Sequence, residues 1–343
     1  MHPTTTMIML ISLATGTIIT ASSFHWILAW VGLEMNTLAI IPILAKQHHP
    51  RATEATTKYF LTQATASALI LFSSVLNVWH SGMWDVTTPT TTTATILFTI
   101  ALAMKLGLAP THFWLPEVLQ GTTMTAALIL STWQKLAPMA LIYITANNLS
   151  PTTLILMGTL STCIGGWGGI NQTQTRKIMA YSSIAHFGWM AAIATMSTDI
   201  MLFNLIIYIM MTTPMFIMLA VTKSKTTTNL ATWTSAPTMT TMILLTLMSL
   251  GGLPPLSGFT PKWLIINELI QQNLILTTTI MTMSSLLSLF FYLRITYTTT
   301  LTLTPNTPNT SYKWRFKPQT HQLLTTLLPT ALLMLPITPT MMQ

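Results

Sequence analysis

Three lysines of this chain, Lys105, Lys135 and Lys262, stand in or beside long apolar runs, and each has prolines close by. A lysine ammonium in hydrocarbon costs about 3 kcal/mol on insertion scales and roughly 10 kcal/mol or more in simulations. Ionisable residues kept in membrane segments at such a cost usually serve the movement of ions or protons. The three lysines are therefore the first candidates for chemistry. For Lys262, snorkelling to a membrane interface is the alternative.

One glutamate and two histidines occupy similarly apolar surroundings. Glu34 is either a neutral side chain hydrogen-bonded to a neighbouring helix or a charged partner of a buried lysine. Burial favours a neutral amine and a nearby carboxylate favours the ammonium, so such a pair suits a proton relay. His112 and His186 could each pass a proton near neutral pH, or be structural histidines with satisfied ring nitrogens. The sequence leaves both roles open for each histidine.

Other kinds of site find little support in the sequence. The single cysteine, Cys163, excludes a disulfide within the chain and a cluster held by four of its cysteines. The segment Gly165-Gly-Trp-Gly-Gly169 lacks the spacing of a nucleotide-binding loop and favours close helix packing. We see no nucleophile triad, and we predict no metal site and no cofactor site in this chain.

Composition places these residues in a membrane protein. Charged residues make up 6% of the chain and hydrophobic residues 51%, whereas soluble domains carry roughly 25% charged residues. The net charge of +8 is spread over short loops, which is typical of topology signals and not of a nucleic-acid-binding patch. The sequence therefore predicts an all-α polytopic membrane protein.

Apolar runs of spanning length predict about eleven transmembrane helices. In the fourth and ninth runs, prolines predict discontinuous helices. The runs lie near 4–22, 24–45, 59–79, 92–120, 124–146, 151–170, 177–196, 200–222, 238–272, 274–297 and 322–341.

Loop charges agree with this count. Every loop lysine and arginine follows an even-numbered run, whereas loops after odd-numbered runs hold none, and two of them hold Asp85 and Asp199. The positive-inside rule then places the N-terminus on the cytoplasmic or matrix side and the C-terminus on the opposite side. Arg294, near the inner end of the tenth run, can snorkel to the interface. The loop residues are Lys46, Arg51, Lys58, Arg176, Lys177, Lys223, Lys225, Lys313, Arg315 and Lys317.

An internal repeat joins the fourth and ninth runs. Gly107-Leu-Ala-Pro110 and Pro116 match Gly252-Leu-Pro-Pro255 and Pro261 at a constant offset, although chance similarity of Gly/Pro clusters is the alternative. Because the two segments are five helices apart, they cross the membrane in opposite directions. Interrupted helices in an inverted repeat indicate a transport site near the midplane. We expect one membrane domain with five-helix repeats at 1–148 and 149–300, then a loop and last helix at 301–343.

The motifs around these residues resemble the NADH dehydrogenase subunit 2 family, the antiporter-like membrane subunits of animal mitochondrial respiratory complex I. Full-length members of the wider family have fourteen helices built on two inverted five-helix repeats, and the animal mitochondrial form lacks three, which fits the count here. The resemblance covers nearly the whole chain and rests on Trp30-Val-Gly-Leu-Glu34-Met-Asn, Met104-Lys105-Leu-Gly-Leu-Ala-Pro110, His112-Phe-Trp-Leu-Pro-Glu117, Thr132-Trp-Gln-Lys135-Leu-Ala-Pro, Tyr181-Ser-Ser-Ile-Ala-His186 and Gly251-Gly-Leu-Pro-Pro-Leu-Ser-Gly-Phe-Thr-Pro-Lys262.

The resemblance implies a proton path from matrix to intermembrane space across the mitochondrial inner membrane. Lys105, with Glu34 as its charge partner, would hold a proton near the fourth helix. Lys135 would bridge two half-channels and Lys262 would serve the second half. Glu34 has no clear counterpart in that half, where His186 is the nearest candidate.

The same resemblance implies partners and cofactors. NADH, flavin, iron–sulfur clusters and ubiquinone would belong to other subunits of the complex, so this chain would hold no redox centre. Neighbouring antiporter-like subunits, accessory subunits and membrane lipids, including a bound phospholipid, would contact it, and no nucleic acid would. Two other functions stay open: a stand-alone cation/proton antiporter, and a structural subunit with a silent channel.

Overall fold

The computed structural model describes residues 2–47, 49–88, 91–231, 237–302 and 322–341. Within these ranges the regular structure is helical and contains no β-strand. The α-helices are α1 Pro3–Ser22, α2 Trp26–Leu44, α3 Pro50–Ser81, α4 Thr92–Leu106, α5 Trp114–Gly121, α6 Met124–Ser131, α7 Trp133–Thr145, α8 Pro151–Gly169, α9 Thr175–Ile193, α10 Thr198–Thr222, α11 Pro237–Gly251, α12 Phe259–Gln271, α13 Ile275–Leu301, α14 Gln322–Leu333 and α15 Thr338–Met341.

Several of these helices can cross a bilayer and present apolar side chains outward. Ile11 of α1 and Leu276 of α13 are 62% and 74% exposed, which suits contact with lipid. The prediction of an all-α membrane protein is confirmed. Six described segments are long and apolar enough to span by themselves: Pro3–Ser22, Trp26–Leu44, Pro50–Ser81, Met124–Asn148, Thr198–Thr222 and Ile275–Leu301.

Some predicted loop charges lie on helices instead. α3 begins at Pro50, where the His49 side chain accepts a hydrogen bond from the Arg51 amide, so Lys58 belongs to α3 and not to a loop. Arg176 and Lys177 lie in the first turn of α9. Lys313, Arg315 and Lys317 lie outside the described residues.

The buried apolar side chains form two clusters at opposite ends of the helices. The first apolar cluster includes the end of α2 at Leu44 and the start of α9 at Ile178. The second apolar cluster includes the start of α2 at Trp26 and the end of α9 at Ile193. Between them, α2 carries Glu34 and α9 carries His186. We call the level between the clusters the polar layer.

Each helix interruption lies at this polar layer. α4 belongs to the second apolar cluster and α5 to the first, whereas α11 belongs to the first and α12 to the second. The two interrupted helices therefore run in opposite directions between the clusters. α6 packs in the first cluster and α7 in the second. The predicted interruptions of the fourth and ninth runs are thus present.

The two predicted interruptions begin with the same turn. Gly107 (φ +75°) and Gly252 (φ +83°) are left-handed, as a helix C-terminal glycine commonly is. The amides of Gly107 and Leu108 donate to Met104 and Ala103, and those of Gly252 and Leu253 donate to the equivalent carbonyls one repeat later, Ser249 and Met248. Both turns are Schellman motifs.

A third interruption, between α6 and α7, was not predicted. It lies at Thr132, whose hydroxyl donates to the Leu128 carbonyl at 2.7 Å. Such a bond competes with the helix ladder and bends helices. Pro138, the visible helix breaker of this run, lies inside α7 instead.

The glycines of α8 serve helix packing, as predicted for Gly165–Gly169. An added Cβ at Gly165 would lie 2.7 Å from the Ala185 amide nitrogen of α9, and one at Gly166 would lie 2.8 Å from the Ser284 carbonyl of α13. Only glycine lets the backbones approach this closely. α9 is buried along most of its length as a result.

We expect Gly252→Ala to destabilise the protein more than Gly82→Ala does. Both positions are left-handed, which costs a non-glycine residue roughly 1–2 kcal/mol. A Cβ at Gly252 would also lie 3.0 Å from Lys262 Nζ, whereas nothing lies within 4 Å at Gly82. Thermal unfolding midpoints in detergent check this expectation, and equal losses in the two variants would contradict it.

Candidate functional site

All three predicted lysines lie at the ends of helices next to the polar layer. Lys105 is in the last turn of α4, and Lys135 and Lys262 are in the first turns of α7 and α12. Lys105 is 4% exposed and Lys135 1%, and Lys262 is half-buried. The helix interruptions place these ends within the bundle, so the lysines face protein and not lipid.

Lys135 and Lys262 each bind the carbonyl that ends an interrupted helix. Lys135 Nζ donates to the Leu106 carbonyl at 2.8 Å, and Lys262 Nζ donates to the Gly251 carbonyl at 2.8 Å. These acceptors are the last residues of α4 and α11, where carbonyls lack helical partners and the helix dipole is negative. The ammonium therefore satisfies the carbonyl and complements its charge.

The two acceptors also correspond in the repeat, because Leu106 and Gly251 immediately precede the matched glycines. The sequence pairs Lys105 with Lys262 as residues flanking the two interruptions. The hydrogen bonds pair Lys135 with Lys262, although the repeat aligns Lys262 with Glu117. In the first half, the last carbonyl of α4 is bound by a lysine from another helix, α7. In the second half, the equivalent carbonyl of α11 is bound by a lysine of α12, the second part of the same interrupted helix.

Lys105 is electrostatically coupled to Glu34 without forming an ion pair. Glu34 is the carboxylate whose charge acts on Lys105, but no ion pair joins them within 4.0 Å among the described residues. Lys105 Nζ and Glu34 Oε2 also lack hydrogen-bond partners there. Lys105 and Lys135 line one cavity of about 10 Å³, room for about one water molecule.

Amide side chains that the sequence analysis did not assign a role line the same cavity. Asn36 Oδ1 and Nδ2 and Gln63 Nε2 are buried and have no partner in the described residues, while Gln134 Nε2 donates to the Asn36 carbonyl at 3.1 Å. Buried polar atoms of this kind are normally satisfied by ordered water. Asn36 and Gln63 were detectable as amides within apolar runs.

His186, the candidate counterpart of Glu34, lies on α9 at the polar layer. It is 5% exposed and lies close enough to Lys262 to interact with it electrostatically. The next residue, Phe187, has its ring 5.6 Å from Lys135 Nζ. The turn of α9 that carries His186 and Phe187 thus lies between Lys135 and Lys262.

Tyr208, on α10, also lies between Lys135 and Lys262, and the sequence analysis did not assign it a role. It is fully buried, and its ring centroid lies 5.5 Å from His186 and 5.0 Å from Phe187. Its hydroxyl donates to the Ser131 carbonyl at 3.3 Å, at the α6–α7 interruption, and also interacts with Ser183. A tyrosine inside an apolar run was the available signal.

His112 has local contacts instead. It is 3% exposed, its Nδ1 lies 3.2 Å from the Pro110 carbonyl, and its ring packs on Phe113. Because that nitrogen must donate to the carbonyl, the histidine fixes the segment between α4 and α5. His112 therefore joins neither lysine in this arrangement.

The groups in this arrangement can gain and lose protons. They are amines, a carboxylate, an imidazole and the Tyr208 phenol, and the polar atoms between them can hydrogen-bond to water. Amines change charge by gaining or losing a proton, and burial makes each change electrostatically strong. The two apolar clusters close the layer toward both ends of the bundle.

Comparison with known proteins identifies the family. The sequence model described as "NADH:quinone oxidoreductase/Mrp antiporter, TM" matches residues 23–288. The chain belongs to the NADH:quinone oxidoreductase/Mrp antiporter family. A second model, "NADH dehydrogenase subunit 2 C-terminus", matches residues 289–342, so the two models together cover nearly all of this antiporter-family chain.

Relatives within the antiporter family match along the full length. The proteins named NADH-ubiquinone oxidoreductase chain 2 from Polypterus ornatipinnis and Xenopus laevis are 54% and 55% identical. The first match covers 100% of this chain and 99% of the relative, and the second covers 99% of each.

Solved structures give the same fold. A chain of respiratory complex I from Thermus thermophilus with bound Aureothin has a TM-score of 0.84 at 28% identity, covering 97% of this chain and 79% of that one. A chain of the Mrp complex from Dietzia has a TM-score of 0.79 at 18% identity, covering 88% of this chain and 61% of that one. The second likeness concerns the fold alone.

We expect Tyr208→Phe to lower stability by about 1 kcal/mol, because it removes one hydroxyl and leaves the buried Ser131 carbonyl without that donor. Tyr297→Phe is the matched control, since Tyr297 is 66% exposed and its hydroxyl is not enclosed. Thermal unfolding of the two variants in detergent measures the difference. A Tyr208→Phe protein as stable as the Tyr297→Phe control would show that the buried bond contributes nothing.

Proposed function

We propose that this chain is a core membrane subunit of a proton-translocating NADH:ubiquinone oxidoreductase in the mitochondrial inner membrane. Full-length relatives carry the name NADH-ubiquinone oxidoreductase chain 2. One observation carries the proton-transfer role: the buried lysines meet the helix interruptions in a single polar layer between two apolar clusters. A transport path needs ionisable groups at that depth.

The route that we propose begins at Lys105, whose charge is balanced by Glu34. A proton passes through the cavity shared by Lys105 and Lys135, where water can hydrogen-bond to the unpartnered amides. It then moves past Tyr208 and His186 to Lys262. Lys262 releases it toward the intermembrane space, so the path runs from matrix to intermembrane space.

Electrostatics drives each step of this route. Two ammonium groups close together in a poorly solvated layer repel each other strongly, so a proton arriving at one lysine favours release from the next. Lys105 holds the first proton because the Glu34 carboxylate stabilises its ammonium. Quinone reduction in other subunits supplies the energy, and NADH, flavin and the iron–sulfur clusters are bound there.

We further propose the topology expected from the sequence: about eleven crossings, arranged as inverted repeats at 1–148 and 149–300, followed by 301–343. The opposite directions of α4–α5 and α11–α12 between the clusters support the inversion, and the matching Schellman turns support the alignment. Lys46 and Lys223 lie at the end of the bundle marked by the first apolar cluster, and Asp85 and Asp199 lie at the other end. This charge difference supports an N-terminus on the matrix side and a C-terminus on the intermembrane-space side.

The partners follow from this placement. Neighbouring antiporter-like subunits and accessory subunits of the membrane arm pack against the chain, and membrane lipids cover the remaining apolar surface. The route works only within the assembled complex, because the energy source lies outside this chain.

We expect Lys135→Met, in an assembled complex in proteoliposomes, to lower the number of protons moved per NADH oxidised. The variant removes a proton-carrying group from the middle of the route. Lys135→Arg separates transfer from folding, because arginine still donates to the Leu106 carbonyl but cannot be deprotonated. It should restore assembly and leave the proton yield low. Proton uptake dyes and NADH oxidation rates measure both quantities.

Lys46→Met is the control for the Lys135 variants, because Lys46 is an exposed residue outside the layer and its loss should leave the yield unchanged. A normal proton yield in Lys135→Met would refute the relay role. Normal yield in Lys135→Arg combined with failed assembly in Lys135→Met would favour the structural subunit with a silent channel.

We expect His186→Leu to lower the proton yield and His112→Leu mainly to lower assembly, because only His186 interacts with Lys262. If His186 and Lys262 act on the same proton, the double variant with Lys262→Met should be no worse than the more affected single variant. Additive losses would show that the histidine acts elsewhere. The same yield measurement, with complex content from native gels, distinguishes these results.

A further inference from the structure

A basic pocket lies at the end of the bundle where α6 and α9 begin and α10 ends. It has a volume of about 320 Å³, and its lining includes Arg176, Lys223 and Lys225 together with Thr123 and Met124. These residues lie beyond the first apolar cluster, which α9 enters at Ile178. The pocket is therefore at the membrane surface and outside the polar layer.

Hydrogen bonds fix Arg176 and the segment that carries Lys223 and Lys225 around this pocket. The Arg176 guanidinium donates to the Thr122 carbonyl just before α6. The Lys225 carbonyl accepts the Thr175 amide at 3.2 Å, and the Thr227 amide donates to the Thr173 carbonyl at 2.9 Å. The segment after α10 is thereby fixed to the start of α9, so the basic side chains stay grouped.

No carboxylate neutralises these cations in the described part of the chain. The ion pairs found there join Lys58 to Glu54 and Glu117, at a different pocket. α6 and α9 also direct their amino-terminal ends, which carry partial positive charge, toward this side. A concave surface with three unpaired cations is electrostatically unfavourable when empty and favours an anion.

We propose that this pocket binds a phosphate-bearing anion, the phosphodiester headgroup of an anionic phospholipid. The chemistry fits, because arginine binds phosphate oxygens in pairs and lysines add point charges. The position fits as well, because the pocket adjoins the ends of apolar helices and Met124 and Ala220 supply apolar walls. Basic pockets between membrane helices on this side are suited to such headgroups. This inference rests on the proposed membrane orientation and not on the proton route.

The test compares the assembled complex with its Lys223→Gln/Lys225→Gln variant. Both are delipidated, placed in nanodiscs of phosphatidylcholine with added phosphatidylglycerol, and analysed for retained lipid by native mass spectrometry. Each lysine near an anionic headgroup contributes enough for roughly a fivefold change in affinity, so the double variant should bind about 25-fold more weakly. Lys46→Gln, at an exposed position of the same end, should retain the lipid.

A second arm distinguishes the sources of the phosphate group. Inorganic phosphate is titrated in nanodiscs of phosphatidylcholine alone, with protection of Lys223 and Lys225 from amine acetylation as the readout. Protection by phosphatidylglycerol but not by inorganic phosphate supports the lipid headgroup, and protection by inorganic phosphate supports a soluble phosphate compound. Lipid retention that is equal in the complex and its double variant, with no protection in either arm, overturns the proposal. Equal loss in Lys46→Gln also overturns it, because the effect would then be one of surface charge in general.

Discussion

The backbone of this protein must satisfy its own hydrogen bonds, because hydrocarbon offers no substitute for water. Three helices are nevertheless interrupted within the bundle. Each interruption frees carbonyls at a depth where leaving them unpaired would cost several kcal/mol per group. Side chains of the polar layer satisfy these carbonyls. Lys135 donates to the last carbonyl of α4, Lys262 to that of α11, and Tyr208 to that of α6.

Structure and proposed transport therefore use the same groups. A lysine that only filled a cavity would be unfavourable. A lysine that donates to a helix-end carbonyl offsets part of the free-energy cost of its own desolvation. This dual use explains why Lys135 and Lys262 lie within a turn of an interruption. It also implies that activity and assembly will be hard to separate by mutation, except with a variant that keeps the donor and loses the exchangeable proton.

Much of this organisation could be predicted from the sequence. Hydrophobic run length and prolines indicated the helices and two of the interruptions, since these signals act locally. The interruption at Thr132 could not be predicted, because the bonds found there involve a threonine hydroxyl and a tyrosine from a distant helix, which no local signal reveals. The lysine–carbonyl pairing was hidden for a similar reason: Lys135 and Leu106 meet only after α4 and α7 pack together. The sequence indicated Glu34 either as a neutral hydrogen-bonded side chain or as the charged partner of a buried lysine, but could not reveal that no ion pair joins it to Lys105 among the described residues.

The hydrogen bonds from Lys135 and Lys262 to the last carbonyls of α4 and α11 have a further consequence. A protonated lysine has three N–H groups, and the neutral amine that remains after proton loss still has two. The bond to Leu106 or Gly251 needs only one of them. Either carbonyl can therefore keep its donor throughout a charging cycle, and the helix ends need not fray when the proton departs. A carboxylic acid in the same place would donate only while protonated, and arginine would donate without ever discharging. An amine therefore lets the charge in this layer switch while the backbone stays bonded.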